Sequence, residues 1–292
     1  MKTLLIGNFG ARNVGDELIL AAALSKFSDA IVATADAEFS QKFSERTFET
    51  IQPFPSGLRS FFSFFLKKEF RRELRVLRGQ VSKIIFPGGG LFAIRSRAFW
   101  IWGATIFWLK KYFPDAEIFL ENQGIDEPQN FLQRAILKKS LRGISKISVR
   151  DAASAAVLKK LKIESLVVGD RVESWKISGA EKKKKRVLIN SRARADFSKI
   201  LKNFPDHEKI FVAMEPGDAR FSPENWDGKT IFPETASEAI ALFSSVEIAI
   251  GQRLHFLILA KKFGAKTFTL GDPYAEKVRS WCEKNAIEDF QK

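Results

Sequence analysis

The chain has 292 residues, 45% of them hydrophobic, enough to bury a substantial core in two domains or one large one. A single cysteine, Cys282, excludes an internal disulfide and a cysteine-rich metal site, and the longest apolar run, AFWIWGATIFWL, is too short to span a bilayer. The net charge of +14 favours an anionic partner (nucleic acid, anionic lipid or a polyanionic substrate) and says nothing about fold.

The chain opens on a predicted strand, TLLI, followed by a loop over residues 7–15 with three glycines and a helix from residue 16 to about residue 27. One lysine precedes only three apolar residues before Gly7, which is not a signal peptide, so a cytoplasmic protein is expected. No Gly-Lys-Ser/Thr follows, and Gly7, Gly10 and Gly15 do not fit GxGxxG. The loop is longer than a simple β-α turn of about 2–6 residues. The strand AIVAT comes next.

Residues 58–79, LRSFFSFFLKKEFRRELRVLRG, form a predicted helix with an apolar stripe of Leu58, Phe62, Leu66, Phe70, Leu74 and Leu77. That stripe alone is an ordinary core-facing face. Phe61, Phe64 and Phe65 widen it, and seven basic residues stand against two acids. Such a face suits a helix lying on an anionic membrane.

Farther on, short apolar runs alternate with helical patterns such as NFLQRAILKKSL, AASAAVLKKL and SEAIALFSS. This is the signature of a parallel sheet covered on both faces. The basic run SGAEKKKKR, residues 178–186, reads as a linker between an N-terminal α/β domain, 1–177, and a C-terminal one, 187–292. Six strands end on polar or flexible residues. TLLI leads into GNFGARNVGDE, KIIF into PGGG, EIFLE into NQG, KISV into Arg150-Asp151, SLVV into Gly169-Asp170 and EIAI into GQRLH. In open parallel sheets, ligands bind outside the carboxyl ends of strands, so these ends predict a cleft for something small and polar.

His207 lies in the polar loop FPDHEK and reads as surface; His255 lies between a strand and an apolar helix. Arg253 shares that junction, and Arg150 ends its own strand in the other half. The guanidinium fork suits carboxylates and phosphates, and a helix N-terminus adds unpaired N–H groups. Arg150, Arg253 and the helix start therefore predict a small-anion site, with His255 as proton donor. An ion pair of Arg150 with Asp151 or another carboxylate of the cleft is the structural alternative.

GNFGARNVGDELIL, PGGGLF, NQGI, SVRDAASAAVLKKL and IGQRLHFLILAKKFGA resemble, in this order, the motifs of the polysaccharide pyruvyl transferase family. The resemblance spans nearly the whole chain. It implies two Rossmann-like domains with parallel sheets, GT-B-like, with the active site in the interdomain cleft. It also implies transfer of the enolpyruvyl group of phosphoenolpyruvate onto sugar hydroxyls of a cell-wall or capsular glycan, giving a pyruvate ketal and phosphate. His255 matches the position of the acid, and Asp16 and Glu17 match the GDE element, one of them serving as base. Arg150, Arg253 and Gln252 would bind the donor. Asn8, Asn13, Gly15, Gly89, Gly90 and Gln123 would bind the acceptor. No cofactor, no metal and no nucleic acid are expected. The acceptor can be lipid-linked, with contact to the inner face of the membrane through residues 58–79.

A glycosyltransferase with a nucleotide-sugar donor shares this architecture and is the alternative. A nucleic-acid-binding protein would fit the charge, but the basic residues are scattered and no module signature is present.

Overall fold

The computed structural model describes residues 1–54, 68–93, 98–177, 182–224, 226, 228–271 and 276–291. The chain divides into two compact units. Unit 1 is Met1–Ala11, Ile19–Gln41 and Arg46–Ser174; unit 2 is Arg12–Leu18, Lys42–Glu45 and Trp175–Lys292.

Unit 1 carries the strands β1 (Lys2–Phe9), β2 (Ala30–Thr34), β3 (Glu49–Ile51), β4 (Val81–Phe86), β5 (Gly89–Phe92), β6 (Glu117–Ile125), β7 (Lys146–Val149) and β8 (Leu166–Val167). They form one parallel sheet in the order β3-β2-β1-β4-β6-β7-β8, with β5 paired to β6. Its helices are α1 (Val14–Leu24), α2 (Ala37–Ser44), α3 (Lys68–Arg78), α4 (Ala98–Tyr112), α5 (Phe131–Leu141), α6 (Ala152–Lys160) and α7 (Arg171–Ser174). The opening residues of α1 pack with unit 2.

A parallel strand covered on both faces reads as a continuous apolar run, and Leu4, Leu5 and Ile6 are all fully buried. On one face, alternate strand residues such as Leu4, Ile6, Ile84 and Phe86 share a core with Leu74 of α3, Trp102 of α4, Leu137 of α5 and Val157 of α6. Four helices thus lie on the same side of this sheet. Phe86 meets Trp102 edge-on at 6.1 Å, a contact of about 0.5–1.5 kcal/mol beyond the area it buries.

Unit 2 carries β9 (Lys184–Ile189), β10 (Glu208–Val212), β11 (Lys229–Ile231), β12 (Val246–Gly251) and β13 (Lys266–Thr269), parallel in the order β11-β10-β9-β12-β13. Its helices are α8 (Ser198–Asn203), α9 (Ala236–Ser244), α10 (Leu254–Lys262) and α11 (Glu276–Lys284). From Phe256 to Ala260 every residue of α10 is buried, as expected for a helix that is apolar on nearly all sides. Val187, Ile189, Phe211 and Ile250 form the centre of a core in this unit.

Several expectations change. β1 continues through Gly7 and Asn8 to Phe9, and α1 starts at Val14, so the loop between them is shorter than predicted. The glycines after β4 lead into another strand, β5, with Gly89 opposite Gln123. Residues 12–18 and 42–45, expected in the N-terminal domain, pack with unit 2. The basic run 178–186 is not wholly a linker: Lys184, Lys185 and Arg186 open β9, and Arg186 pairs with Glu208 of β10 at 2.7 Å. Residues 178–181 lie outside the described residues, as do Phe61, Phe64 and Phe65; α3 starts at Lys68, with Leu74 and Leu77 buried. Among the described residues no helix is long and apolar enough to cross a membrane.

Candidate functional site

In unit 2 the site is built where β9, β10 and β12 end. Asn190, fully buried just after β9, donates through Nδ2 to the Val212 carbonyl of β10 at 2.8 Å. Its Oδ1 accepts the backbone N–H of Arg253 at 3.1 Å. One amide thus ties three strand ends and fixes the start of α10. Gln252 works in the same way. Its Oε1 accepts from the Arg192 N–H at 2.9 Å and from the Ser191 hydroxyl at 3.2 Å, and its Nε2 donates to the Leu270 carbonyl at 2.8 Å. Both ends of the Gln252 amide, expected to bind the donor, thus hold the loop junctions.

Arg253 is the N-cap residue of α10. Its Nη1 and Nη2 donate to the two carboxylate oxygens of Glu215, both at 2.7 Å. Its Nε reaches Asp218 Oδ2 at 3.1 Å, and Nη2 also bonds Asp218. Burial by itself would lower the Arg253 pKa; the hydrogen bonds to Asp218 and Glu215 outweigh it and hold it above the usual arginine value. Asp218 is 2% exposed and also accepts the N–H groups of Met214 and Glu215. The fork expected to hold a donor anion is thus spent on two carboxylates. Four of its five N–H groups are so committed, and the second N–H of Nη1 has no partner among the described residues.

The opening loop joins this network. The Asn13 side-chain amide donates to Glu215 Oε1 at 2.7 Å, while its Oδ1 accepts the N–H groups of Gly15 at 2.9 Å and Asp16 at 3.3 Å. This is N-capping chemistry for α1, with Asp16 and Glu17 placed where the helix dipole favours acids. The Val14 N–H completes the dock on the Met214 carbonyl at 2.9 Å. Glu17 has no exposed surface, whereas Asp16 is half-buried. The imidazole of His255, in the first turn of α10, packs directly on Gly15, which is buried. Unit 2 therefore brings Asn13, Gly15, Asp16, Arg253 and His255 together, with the carboxylates of Glu215 and Asp218 on the arginine.

In unit 1 the expected site residues Gln123 and Arg150 lie at the ends of β6 and β7. Arg150, 8% exposed, donates through Nε to Asp151 at 3.2 Å. Its Nη1 and Nη2 make no hydrogen bond among the described residues. Asp151 in turn caps α6 by accepting the Ser154 N–H at 2.7 Å. The guanidinium lies flat on Gly124, where a Cβ would fall 2.3 Å from Nη2. Gln123 is fully buried, its Nε2 on the Phe86 carbonyl at 3.0 Å, and its Oε1 has no hydrogen-bond partner among the described residues. Gly89 is buried too. Of the residues expected to bind the acceptor, Gln123 and Gly89 are thus buried, whereas Asn8 and Gly90 are exposed.

Four residues of these junctions were not singled out from the sequence. Glu215 and Asp218 follow β10, and the strand-end rule applied to KIFVAM, which leads into EPGD, would have found them. Arg171, 8% exposed, bonds the Pro87 carbonyl, Glu121 and Asn122, while the Asn122 side chain donates to the Gly169 carbonyl at 2.8 Å. No local pattern marks that cluster. Among the described residues no group of three or more His, Cys, Asp or Glu could hold a metal ion.

A model of the family described as polysaccharide pyruvyl transferase matches residues 13–272. No curated protein matches the chain. Among solved structures, the UDP-GlcNAc 2-epimerase of Methanocaldococcus jannaschii is similar at 14% identity, over 99% of this chain and 88% of its own, with a TM-score of 0.61. The UDP-GlcNAc 2-epimerase of Neisseria meningitidis, bound to UDP-GlcNAc, is similar at 13% identity over 97% and 85%, with a TM-score of 0.59. Anabaena HepE, in complex with UDP and glucose, gives 12%, 95% and 82%, and 0.56. At such identities the likeness is one of fold, two Rossmann-like units with parallel sheets.

Proposed function

The chain belongs to the polysaccharide pyruvyl transferase family, a class of polysaccharide-modifying transferases, and we propose that it moves the pyruvyl group of phosphoenolpyruvate onto two hydroxyls of a cell-wall or capsular glycan precursor. The product is a cyclic ketal, and phosphate is released. The observation that carries this reading is Arg150: a nearly buried guanidinium whose carboxylate partner takes only Nε, leaving both terminal nitrogens without a partner among the described residues. A cation held out of water in that way is stabilised by an anion on its open edge. Phosphoenolpyruvate offers a carboxylate and a phosphate.

The chemistry divides among the residues as follows. His255 gives a proton to the methylene carbon of the donor, and the first sugar hydroxyl adds to the neighbouring carbon, losing its proton to a carboxylate. Asp16 is that base, because it is half-buried whereas Glu17 has no exposed surface. Phosphate then leaves with the C–O bonding pair, and the second hydroxyl closes the ketal. One hydroxyl proton restores His255, and the other leaves with phosphate. Arg253, Glu215, Asp218 and Asn13 hold α1 and α10 in register with each other. The carboxylate-rich surroundings suit sugar hydroxyls better than a phosphate, so the donor's anionic groups go to Arg150.

Thermal stabilisation against phosphoenolpyruvate, inorganic phosphate and UDP-sugars tests this. A ligand at 100 times its dissociation constant adds about 2.7 kcal/mol. Stabilisation by phosphoenolpyruvate is expected, with phosphate release once a glycan acceptor is added. UDP is the natural competitor, since two of the similar structures hold UDP or a UDP-sugar. Stabilisation by a UDP-sugar with no response to phosphoenolpyruvate selects the glycosyltransferase reading instead.

A further inference from the structure

One side of unit 1 carries a surface that the transfer chemistry does not use. Between the carboxyl ends of α5 and α6 and the start of β7 lies a groove of about 1330 Å³. It opens at the end of β7 opposite Arg150. Lys138, Arg142, Lys146, Lys159 and Lys162 line it, and Glu164 is its sole acid. Lysines at helix carboxyl ends suit the helix dipole, which accounts for Lys138 and Lys159. It does not account for the other three, and none of the five has an ion pair among the described residues.

The same side collects exposed apolar side chains. Of the eight large hydrophobics strongly exposed among the described residues, six belong to α4, α5 and the β8 edge with its next residue. Phe131 is 85% exposed and Leu132 59%, both in the first turn of α5; Phe107 of α4 is 48% exposed, with the Lys139 ammonium 5.1 Å from its ring centre. Leu166, 56% exposed, lines the basic groove itself. On the same sheet face, α3 presents Arg72, Arg75 and Arg78 to solvent. Apolar patches of this kind mark an interaction surface. A soluble polyanion would satisfy the cations and leave Phe131, Leu132 and Phe107 in water. An anionic phospholipid leaflet uses both, taking the aromatic and aliphatic ridges at the acyl boundary and placing headgroup phosphates against the cations.

We propose that this face of unit 1, formed by α4, α5, the basic groove and the β8 edge, docks the protein reversibly on an anionic membrane leaflet. The proposal stands apart from the reading of the transfer site. The test is co-sedimentation of the full chain with vesicles of phosphatidylcholine and phosphatidylglycerol, against phosphatidylcholine alone, at low and high salt. Two variants are compared, one with Lys138, Arg142, Lys146, Lys159 and Lys162 changed to Gln, the other with Phe107, Phe131 and Leu132 changed to Ser. All eight positions lie at the surface, and thermal melting checks that both variants fold. Binding to the anionic vesicles alone is expected, weakened by salt, reduced about tenfold or more in the charge variant and several-fold in the apolar variant. Absence of binding to anionic vesicles overturns the proposal. So does an apolar variant that binds like the unmodified chain while the charge variant does not, which would point to a soluble polyanion. If one variant fails to melt cooperatively, single substitutions Phe131→Ser and Lys162→Gln replace it, with the same expected directions.

Discussion

The imidazole of His255 rests on the backbone of Gly15, so closely that a Cβ at that position would fall 2.1 Å from Nδ1. The proposed acid and the helix start carrying the proposed base are thus in van der Waals contact, and the absence of a side chain at residue 15 permits it. Gly15→Ala forces the ring aside. Overpacking of this kind costs about 1–3 kcal/mol, which the fold can absorb. Turnover should fall about 10²-fold, the size of effect expected when a reacting group is misplaced by about 1 Å. His255→Gln should retain phosphoenolpyruvate binding and lose roughly 10²–10⁴-fold in rate. Initial rates alongside thermal melting check both; an alanine variant that turns over normally detaches this contact from the chemistry.

Arg150 and Gly124 form a second such pair, the guanidinium lying where a Cβ would come within 2.3 Å of Nη2. Arg150→Lys keeps the charge and loses the fork, and each lost charge-assisted hydrogen bond is worth about 1.5–3 kcal/mol. The donor Kd should therefore rise tenfold or more. Gly124→Ala should raise it in the same direction by pushing the intact guanidinium aside. Titration calorimetry with phosphoenolpyruvate decides, and an unchanged Kd in both variants would remove Arg150 from the donor site.

Glu215 and Asp218 enclose the Arg253 fork. Removing one partner of a buried pair costs about 3–5 kcal/mol when burial is complete. Arg253 keeps 16% and Glu215 37% of their side-chain surface, so Glu215→Gln should cost well under that range and Asp218→Asn more. If Arg253 is a positioning residue, both variants lower kcat and leave the donor Kd unchanged. Tighter donor binding in Glu215→Gln would show instead that the carboxylate competes with a ligand for Arg253.

The Cys282 thiol, 4% exposed on α11, is pushed up to about 11, first by burial and second by the neighbouring Glu283 carboxylate. The thiolate is the nucleophile, so alkylation of the native chain should be slow at neutral pH and become fast only on unfolding. A raised pKa means the folded state holds the proton more tightly than the unfolded one. Its contribution is fully present below the unfolded thiol's pKa of about 8.5 and declines as pH rises toward the folded value. Stability should thus fall across that alkaline window in the unmodified chain and less so in Cys282→Ala. Rapid labelling at neutral pH under native conditions contradicts the burial of this thiol.

The local pattern of residues settled the alternation of strand and helix, because a run such as Leu4-Leu5-Ile6 can only be covered on both faces, and the helices supply that cover. It also marked the strand ends at Arg150, Arg253 and His255, since glycine, amide and charged residues directly after apolar runs have few other uses. What those ends do was decided by partners far away in the chain. Asn13 reaches Glu215 across 202 residues, and Arg253 reaches Glu215 and Asp218 across 38 and 35. Only the order β11-β10-β9-β12-β13, which sets the end of β10 two places from that of β12, puts those carboxylates on the arginine expected to hold a ligand. The burial of Gln123 follows from the same cause, because β5, which contains Gly89 and Gly90 of the stretch that read as an open loop, pairs parallel with β6 with Gly89 opposite Gln123. Propensity and periodicity act over a few residues, whereas a hydrogen bond between strand ends depends on which strands are neighbours, a property of the whole sheet.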